Sequence, residues 1–297
     1  MAVHTASGSR AAVFVLLGHD SEAITARFGP AGFSRHYHET YSFGLVASGM
    51  NQFRYRRRTF QAVAGTIGIC DPGEVHDGGM ARMPWAYRAA FPSAEAMSAL
   101  AAEIGMHGLP AFDTGHIVDP VSVASLHRFL ALLFEEDPAC RDHALEEAGI
   151  DAFATIIRRN AVGVRPHHRA VECPRIAAEA LTLMHDRWEG PVPLSDMAEA
   201  AGASRYATIR SVARATGLTP HAYLLQLRVC KAKELLRQGV PAAAAAADTG
   251  FVDQSHLSRA MRQRWGVGPG AFSTAYRRAL RTMAGAGRPR PASRRPE

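Results

Sequence analysis

The chain has 297 residues, 47% of them hydrophobic and 21% charged, a balance that excludes global disorder and suits about two domains with their own cores. Its net charge of +7 is unevenly placed: from Glu172 to the end 19 Lys/Arg stand against 10 Asp/Glu, and before it 15 stand against 17. An excess confined to one part points to a polyanionic partner, with a plain basic surface as the alternative.

The four cysteines (Cys70, Cys140, Cys173, Cys230) are scattered, with no metal spacing and no disulfide framework, which fits a reducing cytoplasm. The first apolar run, Ala11 to Leu17, is far too short to span a bilayer and has no convincing cleavage site, so it reads as a first β-strand. Residues 10–92 continue in short strands, with Tyr41, Phe43 and Leu45 alternating, then Phe53 and Tyr55, then Trp85 and Tyr87. Turn signals at Gly29-Pro30, Ser48-Gly49 and Asp71-Pro72-Gly73 separate them. Many short strands at this spacing suggest an antiparallel barrel or sandwich.

From Ser93 the periodicity becomes helical, with candidates at 93–104, 120–136 and 142–160. Leu126, Phe129, Leu130, Leu133 and Phe134 form one apolar stripe, either packed on the barrel or serving as a homodimer seam. The expected order is a barrel at 1–92, a helical segment at 93–160, a linker at 161–174, a helical domain at 175–282 and a disordered basic tail at 283–297. The fold class is α+β: an N-terminal antiparallel barrel or sandwich with appended helices, then an all-α domain.

The helical domain repeats one theme. Ser195 is placed as the cap of a support helix, Gly202 permits a sharp turn, Ser204 caps a helix from Arg205 to Thr216, and Gly217 closes it. Thr219-Pro220 start a long helix that Gly239 ends. A helix from Ala242 to Asp248, a turn at Gly250 and a helix from Gln254 to Trp265 then repeat the pattern, finished by Gly266 and Pro269. A connecting helix of about 17 residues is roughly 25 Å long. With its flanking helices it can set two recognition helices about one DNA turn, roughly 34 Å, apart.

Residues 175–276 resemble the tandem helix-turn-helix domain of the AraC/XylS transcription regulators. The matching pieces include Leu194-Ser-Asp-Met-Ala198, Gly202-Ala-Ser-Arg205, Thr216-Gly-Leu-Thr-Pro220, Leu227-Arg228, Gly250-Phe-Val-Asp-Gln-Ser-His256, and Gly266 before Pro269. Smaller core residues depart from the family pattern at Thr208, Val212, Leu257, Met261, Ala242 and Ala245, and lost volume weakens packing unless neighbours fill it. The resemblance implies that Arg205, Tyr206, Ile209 and Arg210 on the first reader face bases, as do Gln254, Ser255, His256 and Arg259 on the second. Arginine can bridge guanine O6 and N7, and Ile209 can meet a thymine methyl. Arg262, Arg214 and Lys231 are placed on phosphates. A solvated helix face is the alternative for each.

The stretch His36-Tyr-His38-Glu39, then Tyr41 to Gly49, then Gly65 to His76, is similar to the small cupin barrel of AraC-type effector domains. Candidate effector contacts at its mouth are His36, His38, Tyr41, Phe53, Glu74, His76, Trp85 and Arg88, with core filling as the alternative. The three histidines admit three readings: metal ligands, hydrogen-bonded structural groups, or effector contacts. Metal is the weakest, because Ser42 and Phe43 stand where metal cupins carry a Glu and Glu39 points away from His38. Arg54 and Arg56 to Arg58 read as a solvated hairpin face, with a nucleic-acid patch as the alternative.

The expected protein is a cytoplasmic, sequence-specific DNA-binding transcription regulator, an activator by resemblance, controlled by a small-molecule effector. Its expected partners are double-stranded DNA, the effector and RNA polymerase. No membrane, cofactor, metal or catalytic residue is called for. The rival is a metal-dependent cupin enzyme fused to a DNA-binding domain.

Overall fold

The computed structural model describes residues 9–28, 33–56, 58–78, 84–134, 141–165 and 174–285. The expected turn at Gly29-Pro30, Arg57, linker residues 166–173 and tail residues 286–297 lie outside them. The strands are β1 (Arg10–Leu16), β2 (His19–Phe28), β3 (Phe33–His36), β4 (Ser42–Ser48), β5 (Met50–Tyr55), β6 (Arg58–Val63), β7 (Ile67–Cys70), β8 (His76–Gly78) and β9 (Trp85–Phe91). Then come α1 (Ala94–Glu103), β10 (Leu109–Ala111), β11 (His116–Ile117), α2 (Pro120–Phe134), α3 (Arg141–Asn160) and β12 (Gly163–Arg165). The rest is helical: α4 (Arg175–Asp186), α5 (Leu194–Ala200), α6 (Arg205–Thr216), α7 (Pro220–Arg237), α8 (Ala242–Asp248), α9 (Gln254–Trp265) and α10 (Pro269–Gly285).

The strands build two sheets, ordered β1-β2-β9-β4-β7-β11 and β3-β8-β5-β6. No ladder joins the two among the described residues, so the expected barrel is two facing sheets rather than a closed ring. Period-two alternation divides the larger sheet. Phe43, Leu45, Ile67, Ile69 and Ala90 point outward to the helices. Ser42, Gly44, Val46, Gly68, Cys70, Trp85, Tyr87 and Phe91 point inward.

The outward face carries the first core, where Phe14, Leu16 and Phe43 meet α2 and α3. Leu126, Phe129 and Leu130 are fully buried there, Leu133 and Phe134 almost so, and Phe129 packs edge-on against Phe14 at 5.0 Å. The apolar stripe is therefore core packing. Three expected boundaries move. Strand β11 pairs with β7, so the sheet domain continues past residue 92, and β12 pairs with β10, so the first part of the expected linker is a strand. At the other end α10 runs through Gly285, which makes residues 283–285 helical rather than tail.

In the C-terminal half, α4 to α6 close around Ala177, Ala180, Met184, Met197 and Val212. Ser204, Thr219 and Asp253 cap α6, α7 and α9 through their side chains, and Gly217 and Gly266 end α6 and α9 in the left-handed region. Ser195 does not cap α5: Pro193 holds that position, and the Ser195 hydroxyl donates to Asp196 instead. The second helix-turn-helix shares a core with the sheet. Ile24, Phe28, Trp85 and Phe91 on β2 and β9 pack with Met261, Trp265, Phe272 and Tyr276 on α9 and α10. No helix among the described residues is long and apolar enough to cross a membrane.

Candidate functional site

The first feature of the site is a pair of exposed helix faces. On α6, Thr208 and Val212 turn inward, which leaves Arg205, Tyr206 and Arg210 exposed and Ile209 half-buried. Tyr206 is 72% exposed, and the Arg210 guanidinium lies 6.0 Å from its ring. On α9, Leu257, Ala260, Met261 and Trp265 turn inward, which leaves Gln254, Ser255, Arg259 and Arg262 exposed. His256 is half-buried, edge-on to Phe251 at 5.1 Å. Burial and the nearby Arg259 charge hold its imidazole below the usual histidine range. All nine sequence-predicted positions thus lie on the two outward faces.

The spacer between them is rigid. Helix α7 has 18 residues, about 27 Å at 1.5 Å per residue. Arg228 on α7 donates from Nε to Trp188 O at 2.8 Å, from Nη1 to Gly250 O at 2.8 Å and from Nη2 to Gly190 O at 2.7 Å. One guanidinium therefore ties the second turn to the loop between α4 and α5. Gly250 sits at φ +71°, and a Cβ there would lie 2.6 Å from Glu189 O. Only glycine meets both conditions.

The second feature is a cleft between the two sheets, with about 50 Å³ of enclosed space and about 560 Å³ once the open mouth is included. Of the candidate effector contacts, His36, His38, Phe53, His76 and Trp85 line it. Tyr41, Glu74 and Arg88 do not. Tyr41 shares the parity of Phe43 and faces the helices, where its hydroxyl donates to Pro110 O at 2.7 Å. Arg88 alternates with the inward Tyr87 and so lies on the same outward face. Glu74 accepts from Arg56 Nε at 3.0 Å, and Arg56 also reaches Asp71 at 2.7 Å and Phe112 O at 2.6 Å. Arg56 is therefore a clamp within the fold rather than part of a solvated face. Across the cleft floor Gly44 pairs with Gly68, and the bare backbone makes room for two walls of the cleft: a Cβ at Gly44 would lie 3.2 Å from the Tyr87 ring and one at Gly68 3.6 Å from the Phe53 ring.

The three histidines converge inside the cleft. His36 Nδ1 lies 2.7 Å from Ser34 O, which places its proton there, and His36 Nε2 then accepts from His38 Nε2 at 3.2 Å. His76 Nδ1 donates to Glu74 O at 3.0 Å. Burial, reinforced for His36 and His38 by neighbouring imidazoles, drives all three below the usual range and keeps them neutral. Their nitrogens lie within 4.8 Å of one another, a spacing that could hold a metal ion. The carboxylate nearest in the lining, Asp77, is already bound by the backbone N–H and Nε of Arg54, both at 2.9 Å.

The cleft also holds two residues that were not expected in it, Arg264 and Trp265, from the last turn of α9. The Trp265 ring stands 4.3 Å from that of His38 and 5.6 Å from that of Phe91. The readable signal was parity. Arg264 stands seven residues after Leu257, on the stripe that otherwise buries apolar side chains. Both helices meet the ligand-binding half at their C-terminal ends, α6 at the turn between β7 and β8 and α9 at β2. A Cβ at Gly217 would lie 3.2 Å from Val75, and one at Gly266 would lie 3.0 Å from Phe28.

Comparison with known proteins agrees with this arrangement. The family model described as an AraC-like ligand binding domain matches residues 18–152, and the one described as a helix-turn-helix domain matches residues 197–279. The HTH-type transcriptional regulator YbfI of Bacillus subtilis (strain 168) is 28% identical over 236 residues, covering 76% of this chain and 81% of its own. The transcriptional activator NphR of a Rhodococcus species is 25% identical over 274 residues, covering 87% of this chain and 77% of its own. Among solved structures, apo ToxT of Vibrio cholerae strain SCE256 covers 90% of this chain and 97% of its own at 9% identity and a TM-score of 0.49. The two family models and the two curated relatives favour a regulator over a metal-dependent enzyme. The chain belongs to the AraC family of transcriptional regulators, with a ligand-binding domain followed by a helix-turn-helix DNA-binding domain.

Proposed function

We propose that this regulator works in the cytoplasm as an activator, reading two successive major grooves on one face of DNA under the control of a small molecule held in the inter-sheet cleft. The observation that carries the reading is the outward pair of basic faces on α6 and α9, joined by one 18-residue helix and pinned by Arg228. Arg205, Tyr206, Ile209, Arg210, Gln254, Ser255, His256 and Arg259 are the proposed base-facing set, with Arg262 on phosphate. His36, His38, Phe53, His76 and Trp85 are the proposed effector contacts. Activation follows the name of the relative NphR and requires contact with RNA polymerase. No dimer is proposed through the α2 stripe, which the core consumes.

The mechanism is a population shift. An effector changes DNA binding only if it favours one placement of the sheets against α9 over another. The test is selection of bound fragments from random DNA by the full chain, followed by a promoter fusion carrying the selected site. Two half-sites about 10 base pairs apart, with expression that rises when the regulator is present, support the reading. A single half-site, or expression that falls, refutes it.

A further inference from the structure

We infer that the effector is a small organic anion, whose apolar body lies among the aromatic walls of the cleft and whose carboxylate-type group is held by Arg264. The inference rests on the proposed reading of the cleft as the effector site, and it names the class of molecule that fits.

Arg264 is 5% exposed and carries a permanent charge. Its Nη1 reaches only the Ala260 carbonyl of its own helix, at 3.5 Å, and its Nε has no hydrogen-bond partner. No carboxylate among the described residues pairs with it. A buried unpaired charge is strongly unfavourable. The same interface treats its other deeply buried cation differently, since Lys233, 2% exposed, stands 2.7 Å from Glu22. The fold supplies an acid for one cation and leaves the other facing a cleft.

The lining agrees with an anion. Its one acid, Asp77, is occupied by Arg54, and its imidazoles are neutral. Two further donors, Trp85 Nε1 and Trp265 Nε1, are buried without partners. Phe33, Phe53, Tyr87 and Phe91 supply apolar wall for a ring or short chain. A dication at the three histidines is the competing occupant. It would add positive charge beside Arg264 with no free carboxylate to balance it. Arg264 belongs to the recognition helix itself, so an anion seated here ties α9 directly to both sheets. Effector charge then acts on the placement of the reader without an intermediary.

The experiment uses the full chain and a matched panel: benzoate, phenylacetate and octanoate, each beside its neutral amide, with zinc as a separate arm. Calorimetry should find a carboxylate that binds about tenfold or more tightly than its amide, as loss of a charge-assisted bond demands. Arg264→Met should abolish that preference and Arg264→Lys should keep it. Arg264→Met should also melt higher than the parent in ligand-free buffer, because an apolar side chain replaces an unpaired buried charge. Amides that bind as well as acids, with binding lost in Phe53→Ala but kept in Arg264→Met, would overturn the anion and leave the cleft as the effector site. Stoichiometric zinc that is lost in His36→Ala, or an Arg264→Met protein that melts lower, would also overturn it. If nothing on the panel binds, both the anion and the cleft reading fall.

Discussion

Lys233 Nζ lies 2.7 Å from Glu22 Oε2, joining the central helix of the DNA-binding half to the second strand of the ligand-binding half. Arg237 reaches the other carboxylate oxygen, and the Tyr276 hydroxyl donates to it at 3.2 Å. Above this cluster the Lys233 ammonium sits on the Trp265 ring, 2.9 Å from its centre. The ion pair and the wall of the cleft are thus one structure. Glu22→Gln leaves two cations facing a neutral amide, and removal of one partner of a buried pair typically costs about 3–5 kcal/mol. We expect that loss in a urea unfolding curve of the full chain. Glu22→Met combined with Lys233→Met should recover most of it, because Arg237, 35% exposed at its side chain, can turn to solvent.

The same carboxyl makes the interface acid-sensitive. Burial alone would raise its pKa, but Lys233 and Arg237 together hold it at about 2, against 4.5 for a free glutamate. A depressed carboxyl contributes its full stability above the unfolded value and loses it as pH falls toward the folded one. The contribution should therefore be complete above pH 4.5 and fade toward pH 2. Asp20 nearby is raised by burial and titrates in the opposite sense. It is common to both proteins and cancels between Glu22→Gln and its parent. The measured stability gap between those two should shrink steadily as the buffer is acidified below pH 4.5.

The exposed faces of α6 and α9 make separate predictions. Arg210→Ala and Arg259→Ala should each weaken binding to the selected site by about 1–3 kcal/mol and relax base preference at one position. Arg262→Ala should weaken specific and random DNA alike and flatten the salt dependence. Gel-shift titrations against both kinds of DNA at two salt concentrations separate the two behaviours. Equal losses on both for Arg210→Ala would move that residue to the phosphates.

Gly250→Ala tests the turn. The substitution forces a side chain into positive φ and brings its Cβ to 2.6 Å from Glu189 O and 2.9 Å from the Arg228 guanidinium carbon. Backbone strain of this kind costs about 1–3 kcal/mol before the clash is counted. The three carbonyl contacts of Arg228 should loosen with it. We expect a lower melting temperature and weaker specific DNA binding together, while the far-UV helix signal persists.

Much of the DNA-binding half was legible because its signals are local. A cap such as Ser204 and a left-handed glycine such as Gly217 or Gly266 each act within one helical turn. The cleft was legible only in part. His36, His38 and His76 were found from residue type, but Tyr41 and Arg88 were assigned to the cleft although strand parity sends them to the other face. Gly44 and Gly68, which make room for the Tyr87 and Phe53 rings, carry no chemistry of their own and become informative only when the register sets them opposite each other. Arg264 and Trp265 reach the cleft through docking of the two halves, a contact between residues more than two hundred positions apart. Local periodicity could mark Arg264 as a charge on a buried stripe but could not say what it faced.

Parity itself can be tested by setting Tyr41→Phe beside Phe53→Ala. The Tyr41 hydroxyl is wholly buried and its bond to Pro110 O lies in the helical core. Its removal should cost about 1–2 kcal/mol, the range for a buried carbonyl left without its donor, and should leave effector binding unchanged. Phe53 lines the cleft and stacks on Phe60 at 5.6 Å. Its truncation should weaken the effector while sparing the helical core. Denaturation gives the stability difference, and calorimetry with whichever carboxylate binds the parent gives the second readout. A Tyr41→Phe protein with impaired ligand binding would place the effector on the helical side of the sheet, where the parity of β4 allows no cleft residue.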